Sequence, residues 1–500
     1  MAITRRIRRP GTVVLVLTAL VATAACGSSA TPDGADRAGP PAARHTGAAP
    51  PPATGGETET ERDAESTFAL DVDTASYGYA RRLITEGRMP EPTAVRPEEF
   101  VNSFAQDYPE PAGDGFAIHV DGSRLPEAHR SEPAGDVRLM RVGLRTRAED
   151  GERRPDVALT FVVDVSGSMS EPGRLDLVQD ALHTLVDRLR PSDSVAIVAF
   201  SSEARTLRGM TRAADADRLH AAVADLRVRS STNLEAGLTL GYEVAREGFR
   251  PGATNRVILL SDGLANVGST TADPILRQVR EQADKQITLL GVGVGSEYGD
   301  ALMERLADRG DGMVVYVSQR DQARDVFARQ LPATLSVRAL DAKAQVSFDP
   351  ATVRSYRLIG YDNRAVADED FRDDRVDGGE IGPGHSVTAL YAVRLTDEAD
   401  RSAPVARVHV RWLDPTSRAA TESDRRVIVG DLSGDFDRAS PRLWTCYAAA
   451  YFAEVLRTGS GGHEVSLDGL AGIAREAADS TGDAAVRDLA EIIDRARELD

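Results

Sequence analysis

The 500-residue chain carries 78 acidic and 60 basic side chains, for a formal charge of −18, and a surface of that sign repels phosphate and argues against nucleic acid as a partner. With 41% hydrophobic and 28% charged residues it is ordinary globular protein, long enough for about two to four domains. Its two cysteines, Cys26 and Cys446, give no disulfide framework once one of them is used elsewhere.

Residues 1–26 have the three parts of an export signal. Arg5-Arg6-Ile7-Arg8-Arg9 is basic, Val13-Val14-Leu15-Val16-Leu17 opens an apolar run that continues to Val21, and Ala24-Ala25-Cys26-Gly27 is the small-residue end. The apolar run falls short of the roughly 20 residues of a membrane span. A cysteine straight after two alanines resembles a bacterial lipobox, with Thr23 where leucine is usual. That resemblance implies lipidation of Cys26 and an anchor on the extracytoplasmic face of the cell membrane; plain secretion and a retained anchor helix are the alternatives. Residues 27–65 contain almost no large apolar side chains and read as a disordered spacer.

In the region 66–150, strands are expected over 116–120 and 137–144. Asp71 and Asp73 precede Thr74 and read as a strand end and helix cap, with a second metal site as the alternative. From 156 to 335 strands and helices alternate. Strands are expected over 157–163, 194–200, 256–260, 287–294 and 313–317. Helices are expected over 175–189, 219–226, 234–245, 275–283, 302–306 and 326–335. Apolar strands alternating with helices predict an α/β fold with a doubly wound, mostly parallel sheet.

Ligands of such sheets bind beyond the carboxyl ends of the strands. One strand runs into Asp164-Val165-Ser166-Gly167-Ser168 and another into Ser261-Asp262-Gly263, while Ser231-Thr232-Asn233 lies in a loop between them. Carboxylates and hydroxyls are hard oxygen donors, which favours Mg²⁺, Mn²⁺ or Ca²⁺ over zinc. Neutral hydroxyls leave the ion electron-poor, open to a further carboxylate. The alternative is structural, since Asp and Ser commonly cap helices and form turns. The series is similar to the metal-ion-dependent adhesion site of von Willebrand factor type A domains. Asp164, Ser166 and Ser168 match its first loop, Thr232 its second and Asp262 its third; Arg229 and Ser230 stand where two glycines are usual. The resemblance implies a divalent ion, Mg²⁺ first, and a protein ligand offering an Asp or Glu.

In the region 340–500, strands are expected over 344–348, 356–360, 386–395, 405–412 and 426–429, and packing helices over 443–456 and 486–499. Neither flank alone makes a sheet; together they predict one β-sandwich into which the central domain is inserted, followed by the C-terminal helices. The stretches 68–77, 95–102, 356–364 and 379–391 resemble the bacterial YfbK-type lipoproteins, and the likeness spans about 66–500. The eight histidines show no metal spacing, His385 reads as structural, and Cys446 as a buried thiol. The leading reading is a non-enzymatic binding module. A scaffold of the cell envelope with a structural metal site is one alternative. A metal-dependent hydrolase is the other, against which no nucleophile elbow, phosphate loop or zinc motif is present.

Overall fold

Strand Val157–Asp164 is buried along its whole length, and its side chains divide between two cores. Leu159, Phe161 and Val163 join one apolar cluster and Val162 the other, as a strand with helices on both faces requires. The computed structural model describes residues 56–500 apart from 71, 73, 114, 127–135, 149–154, 263–271, 296–305, 307–313, 318–326, 328–336, 363, 375, 377, 398, 416 and 460–464. Cys26, most of the spacer, Asp71, Asp73 and Gly263 therefore lie outside the described residues. Of the helices expected over 302–306 and 326–335, only Leu306 and Phe327 are described, and both are buried.

In chain order, β1 (Thr58–Glu59) and β2 (Glu65–Ala69) precede helices α1 (Ala75–Thr85) and α2 (Pro97–Asn102); β3 (Phe116–Arg124) and β4 (Val137–Thr146) follow. The central part holds β5 (Val157–Asp164), α3 (Leu175–Val186), β6 (Ser194–Phe200), β7 (Ala204–Arg212), α4 (Ala216–Ala224), α5 (Leu234–Glu247), β8 (Thr254–Ser261), α6 (Ala272–Ala283), β9 (Ile287–Val294) and β10 (Val314–Val317). Then come β11 (Leu340–Phe348), β12 (Val353–Leu358), β13 (Ser386–Leu395), β14 (Pro404–Leu413), β15 (Ala420–Ile428), α7 (Pro441–Thr458), α8 (Leu467–Thr481) and α9 (Ala484–Leu499).

The central sheet has the order β10-β9-β8-β5-β6-β7. Its pairs are parallel except β7, which runs antiparallel to β6 at the edge. Helices α3 and α4 cover one face through Leu182, Leu185, Leu219 and Val223; α5 and α6 cover the other through Leu238, Tyr242, Ile275 and Val279. This is the doubly wound α/β architecture.

The flanks interleave. One antiparallel sheet has the order β1-β12-β13-β4-β3 and a second β15-β14-β11-β2. Each contains strands from before and after the central part, so neither sheet closes without both flanks. Met140, Val142 and Leu144 of β4 point into the core shared with Val346, Tyr391, Val408 and Val410. Leu139 and Leu390 point the other way, into a helical layer with Tyr77, Phe100, Tyr447 and Phe452. The expected sandwich with an inserted central domain and packing helices is therefore present.

Several boundaries differ from expectation. The strand expected over 356–360 is β12 and stops at Leu358, because Gly360 takes φ +80° and turns the chain away. The strand expected over 426–429 begins at Ala420 and ends before Val429; its first residues are polar and largely exposed. Thr74 does sit at the N-cap of α1, but its side chain makes no capping bond.

Candidate metal-binding site

The parallel ladder carries Asp164 to the carboxyl end of β5. The Val165 amide extends it by one bond to the Phe200 carbonyl (2.9 Å) before the chain turns. A short 3-10 turn, Gly167–Ser170, follows, pinned by buried Met169. Asp262 comes directly after β8, the neighbour of β5, so the two carboxylates reach the same rim.

There the side chains form one hydrogen-bonded cluster. The Ser166 amide donates to Asp164 Oδ1 (2.8 Å) and the Ser261 hydroxyl to Asp164 Oδ2 (2.7 Å). The Ser166 and Ser168 hydroxyls lie 3.1 Å apart, and the Ser168 hydroxyl donates to Asp262 Oδ1 (2.8 Å). Asp164, Ser166 and Asp262 are buried while Gly167 and Ser168 are exposed, so the cluster opens to solvent on the Ser168 side. Burial raises the Asp164 carboxyl above the usual range; the Ser261 and Ser166 hydrogen bonds pull it back, and nearby Asp262 adds a smaller upward push.

Thr232 is buried in the neighbouring loop. That loop is strapped to both sides of the site: the Arg229 amide donates to the Val165 carbonyl (2.6 Å) and the Asn233 amide to the Ser201 carbonyl (2.7 Å). Ser231 adopts φ +66°, a left-handed conformation without glycine's freedom. Asn233 caps α5 by accepting from the Ala236 amide (3.0 Å).

Two participants were not foreseen. Ser261 stands beside Asp262 in sequence but serves Asp164. Arg174, at the N-cap of α3, donates to Asp262 Oδ2 (2.5 Å) and to the Ser168 carbonyl (3.3 Å). A guanidinium ten residues beyond the first aspartate gives no sequence signal for that contact. The rim also touches the flank, where Arg82 of α1 donates to the Gly295 carbonyl (3.4 Å). Among the described residues no three His, Cys, Asp or Glu side chains form a metal-binding group; the cluster draws its further oxygens from hydroxyls.

Comparison with known proteins fits this geometry. Residues 158–329 match the family described as von Willebrand factor type A domain, residues 333–499 that described as "Uncharacterized protein YfbK, C-terminal", and residues 53–132 that described as von Willebrand factor. An Escherichia coli (strain K12) protein, "Uncharacterized protein YfbK", is 35% identical over 376 residues, 71% of this chain and 65% of its own length. The chain is thus similar to the bacterial YfbK-type VWA proteins over most of its length. Its VWA domain is also similar to part of human inter-alpha-trypsin inhibitor heavy chain H4, 30% identical over 158 residues, 30% of this chain and 17% of that one. Among solved structures, "von Willebrand factor type A from Catenulispora acidiphila" is 18% identical, with 75% of this chain and 89% of that one covered at a TM-score of 0.47. The chain thus spans just under two thirds of the E. coli relative and smaller shares of the human one. VWA domains commonly mediate protein–protein interaction, often bind a divalent ion and are generally non-enzymatic.

Proposed function

We infer that this chain is a lipid-anchored protein on the extracytoplasmic face of the cell membrane, which holds a protein ligand through a divalent ion at the rim of its VWA domain. The observation that carries the reading is the convergence of Asp164, Ser166, Ser168 and Asp262 in one solvent-open cluster, with Thr232 in the loop strapped beside it. The donor set fits a hard cation: two carboxylates and neutral hydroxyls are Mg²⁺, Mn²⁺ or Ca²⁺ chemistry. Asp164, Ser166, Ser168, Thr232 and Asp262 would hold the ion, which when bound supplies a Lewis-acidic position for an Asp or Glu of the partner. The residues themselves fix the carboxylates, keep their negative charge low and leave one side open.

Titration calorimetry with Mg²⁺ and Mn²⁺ on the purified chain tests the first half; no uptake of either ion at millimolar concentration overturns it. The second half is tested by capture from envelope extracts with and without chelator. Asp164→Ala is expected to lose the chelator-sensitive partner; equal capture by that variant moves binding to the flanks. That scaffold reading has one observation in its favour, the contact of α1 with the rim through Arg82 and Gly295. Mass spectrometry of the mature N-terminus tests the anchor, and an unmodified Cys26 rejects it. Among the described residues no helix is long and apolar enough to cross a membrane.

A further inference from the structure

Arg174 breaks a local rule. N-cap positions favour Ser, Thr, Asp or Asn, whose side chains accept from the first turn. A cation there also opposes the positive end of the helix dipole. Arg174 occupies the N-cap of α3 with no capping bond. Asp176 in the first turn supplies the acid that the dipole favours and accepts from the Gly173 amide just before the cap (2.9 Å). The Arg174 side chain is turned inward and buried. It donates through Nη1 to Asp262 Oδ2 (2.5 Å) and to the Ser168 carbonyl (3.3 Å), and its Nη2 pairs with exposed Glu171 (2.7 Å). A local preference broken while a specific polar contact is gained marks a functional position.

We propose that Arg174 is the counter-ion of the metal site, a positioning residue that withholds one Asp262 oxygen from the divalent ion and leaves the loaded site in need of an anionic group. This rests on the function inferred above. Asp262 Oδ1 is turned to the Ser168 hydroxyl and Oδ2 to a single guanidinium N–H, so the hydroxyl and the cation together fix the carboxylate's orientation while the cation offsets its charge. The charges then decide the behaviour. Asp164 and Asp262 with Arg174 present one net negative charge to an incoming dication, and the loaded cluster is left positive. Without Arg174 the two carboxylates would neutralise the ion fully. Glu171 is exposed, and an ion pair with a solvated partner contributes little. Arg174 therefore weakens binding of the ion alone and strengthens binding of a carboxylate upon it. Ion and acidic ligand become mutually dependent, and by linkage the dependence is reciprocal.

The experiment is titration of the full chain with Mn²⁺ alone and in the presence of acetate, for wild type, Arg174→Gln and Arg174→Lys, each checked for an intact melting transition. Wild type is expected to take up Mn²⁺ more tightly when acetate is present. Arg174→Gln is expected to bind Mn²⁺ alone about tenfold more tightly and to lose most of the acetate effect. Arg174→Lys keeps the charge but not the guanidinium's simultaneous contacts with Asp262, the Ser168 carbonyl and Glu171, and is expected to stay near wild type. Equal Mn²⁺ affinity for wild type and Arg174→Gln overturns the role of Arg174 and leaves the metal site standing. Tight binding by Arg174→Lys as well as Arg174→Gln overturns charge as the cause. Absence of Mn²⁺ uptake by all three overturns the metal reading itself.

Discussion

The buried Asp164 carboxylate accepts from the Ser166 amide at Oδ1 and from the Ser261 hydroxyl at Oδ2. Ser261→Ala removes the second and leaves a buried acceptor unmet, at a cost of about 1–3 kcal/mol. Urea denaturation of the metal-free chain measures it, and an unchanged midpoint would show that Oδ2 has another donor. A second buried carboxyl lies far from this site. Glu98 on α2 packs against Gly360, where an added Cβ would fall 2.3 Å from Glu98 Oε2. Burial first, and adjacent Glu99 second, push its carboxyl up to about 7, against smaller downward pulls from the Tyr361 amide, its own backbone and Arg96. A folded value above the ordinary one favours the protonated form. The stability it contributes is complete below about pH 4.5 and is lost as pH rises through 7. Glu98→Gln is thus expected to match wild type at pH 5 and to exceed it at pH 8 by on the order of 3 kcal/mol; the same offset at both values would rule out titration as the cause. That Asp164, Ser166, Ser168 and Asp262 converge was legible because each loop follows the carboxyl end of an apolar strand of one parallel sheet. Arg174 was not, because a cation opening a helix carries no sequence signal of use.

Helix α5 lies close on the central sheet because two glycines one turn apart face it. A Cβ on Gly241 would fall 2.3 Å from Val162 Cγ2, and one on Gly237 would fall 2.6 Å from Phe200 Cγ. Gly241→Ala is expected to lose stability: overpacking costs about 1–3 kcal/mol, against roughly 1 kcal/mol of helix propensity gained. Gly472 in α8 is the contrast, since a Cβ there meets nothing within 4 Å. Gly472→Ala is expected to raise the melting temperature by the propensity gain alone. Opposite signs for the two changes in thermal unfolding check the packing argument; equal signs refute it. The same helices explain what sequence patterning reached. Strands β5, β6 and β9 are continuous apolar runs, and their positions were readable. Helix α8 was missed because it packs through Ala471, Ala474, Ala477 and Ala478, whose small side chains give a weak periodic signal. Strand β7 was missed because it is an edge strand, with Arg205, Arg208 and Arg212 among mostly exposed or half-exposed residues. Such charge protects an edge from pairing with another chain. His183 on α3 and His220 on α4 meet with Nδ1 atoms 2.7 Å apart, a contact no linear spacing reveals. Burial, and then His220, lower the His183 imidazole from its ordinary value.

At the scale of the whole chain, the insertion was legible from a deficit: neither flank held enough strands for a sheet. The pairing itself was not, since β2 meets β11 and β4 meets β13 across more than two hundred residues. This makes a prediction. A chain ending at residue 339 keeps the VWA domain but strips β13 from β4 and β11 from β2, leaving Met140, Val142 and Leu144 without their cover. It is expected to aggregate in size-exclusion chromatography. A soluble monomer would show that the N-terminal flank stands without its complement. Joints beyond the strands also bind the parts together. Buried Arg256 of β8 pairs with Glu380 (3.2 Å), and Asn102 of α2 holds both the amide and the carbonyl of Thr388 (2.8 and 3.0 Å).

The insertion has a mechanical consequence. The polypeptide enters the VWA domain from β4 and leaves it into β11. Both are interior strands: β4 is bonded on its two edges by β3 and β13, and β11 by β2 and β14. A pull on the VWA domain would therefore be divided between two strands in two different sheets. Each is clamped along both sides, so neither is a free edge strand from which the sheet could be peeled away.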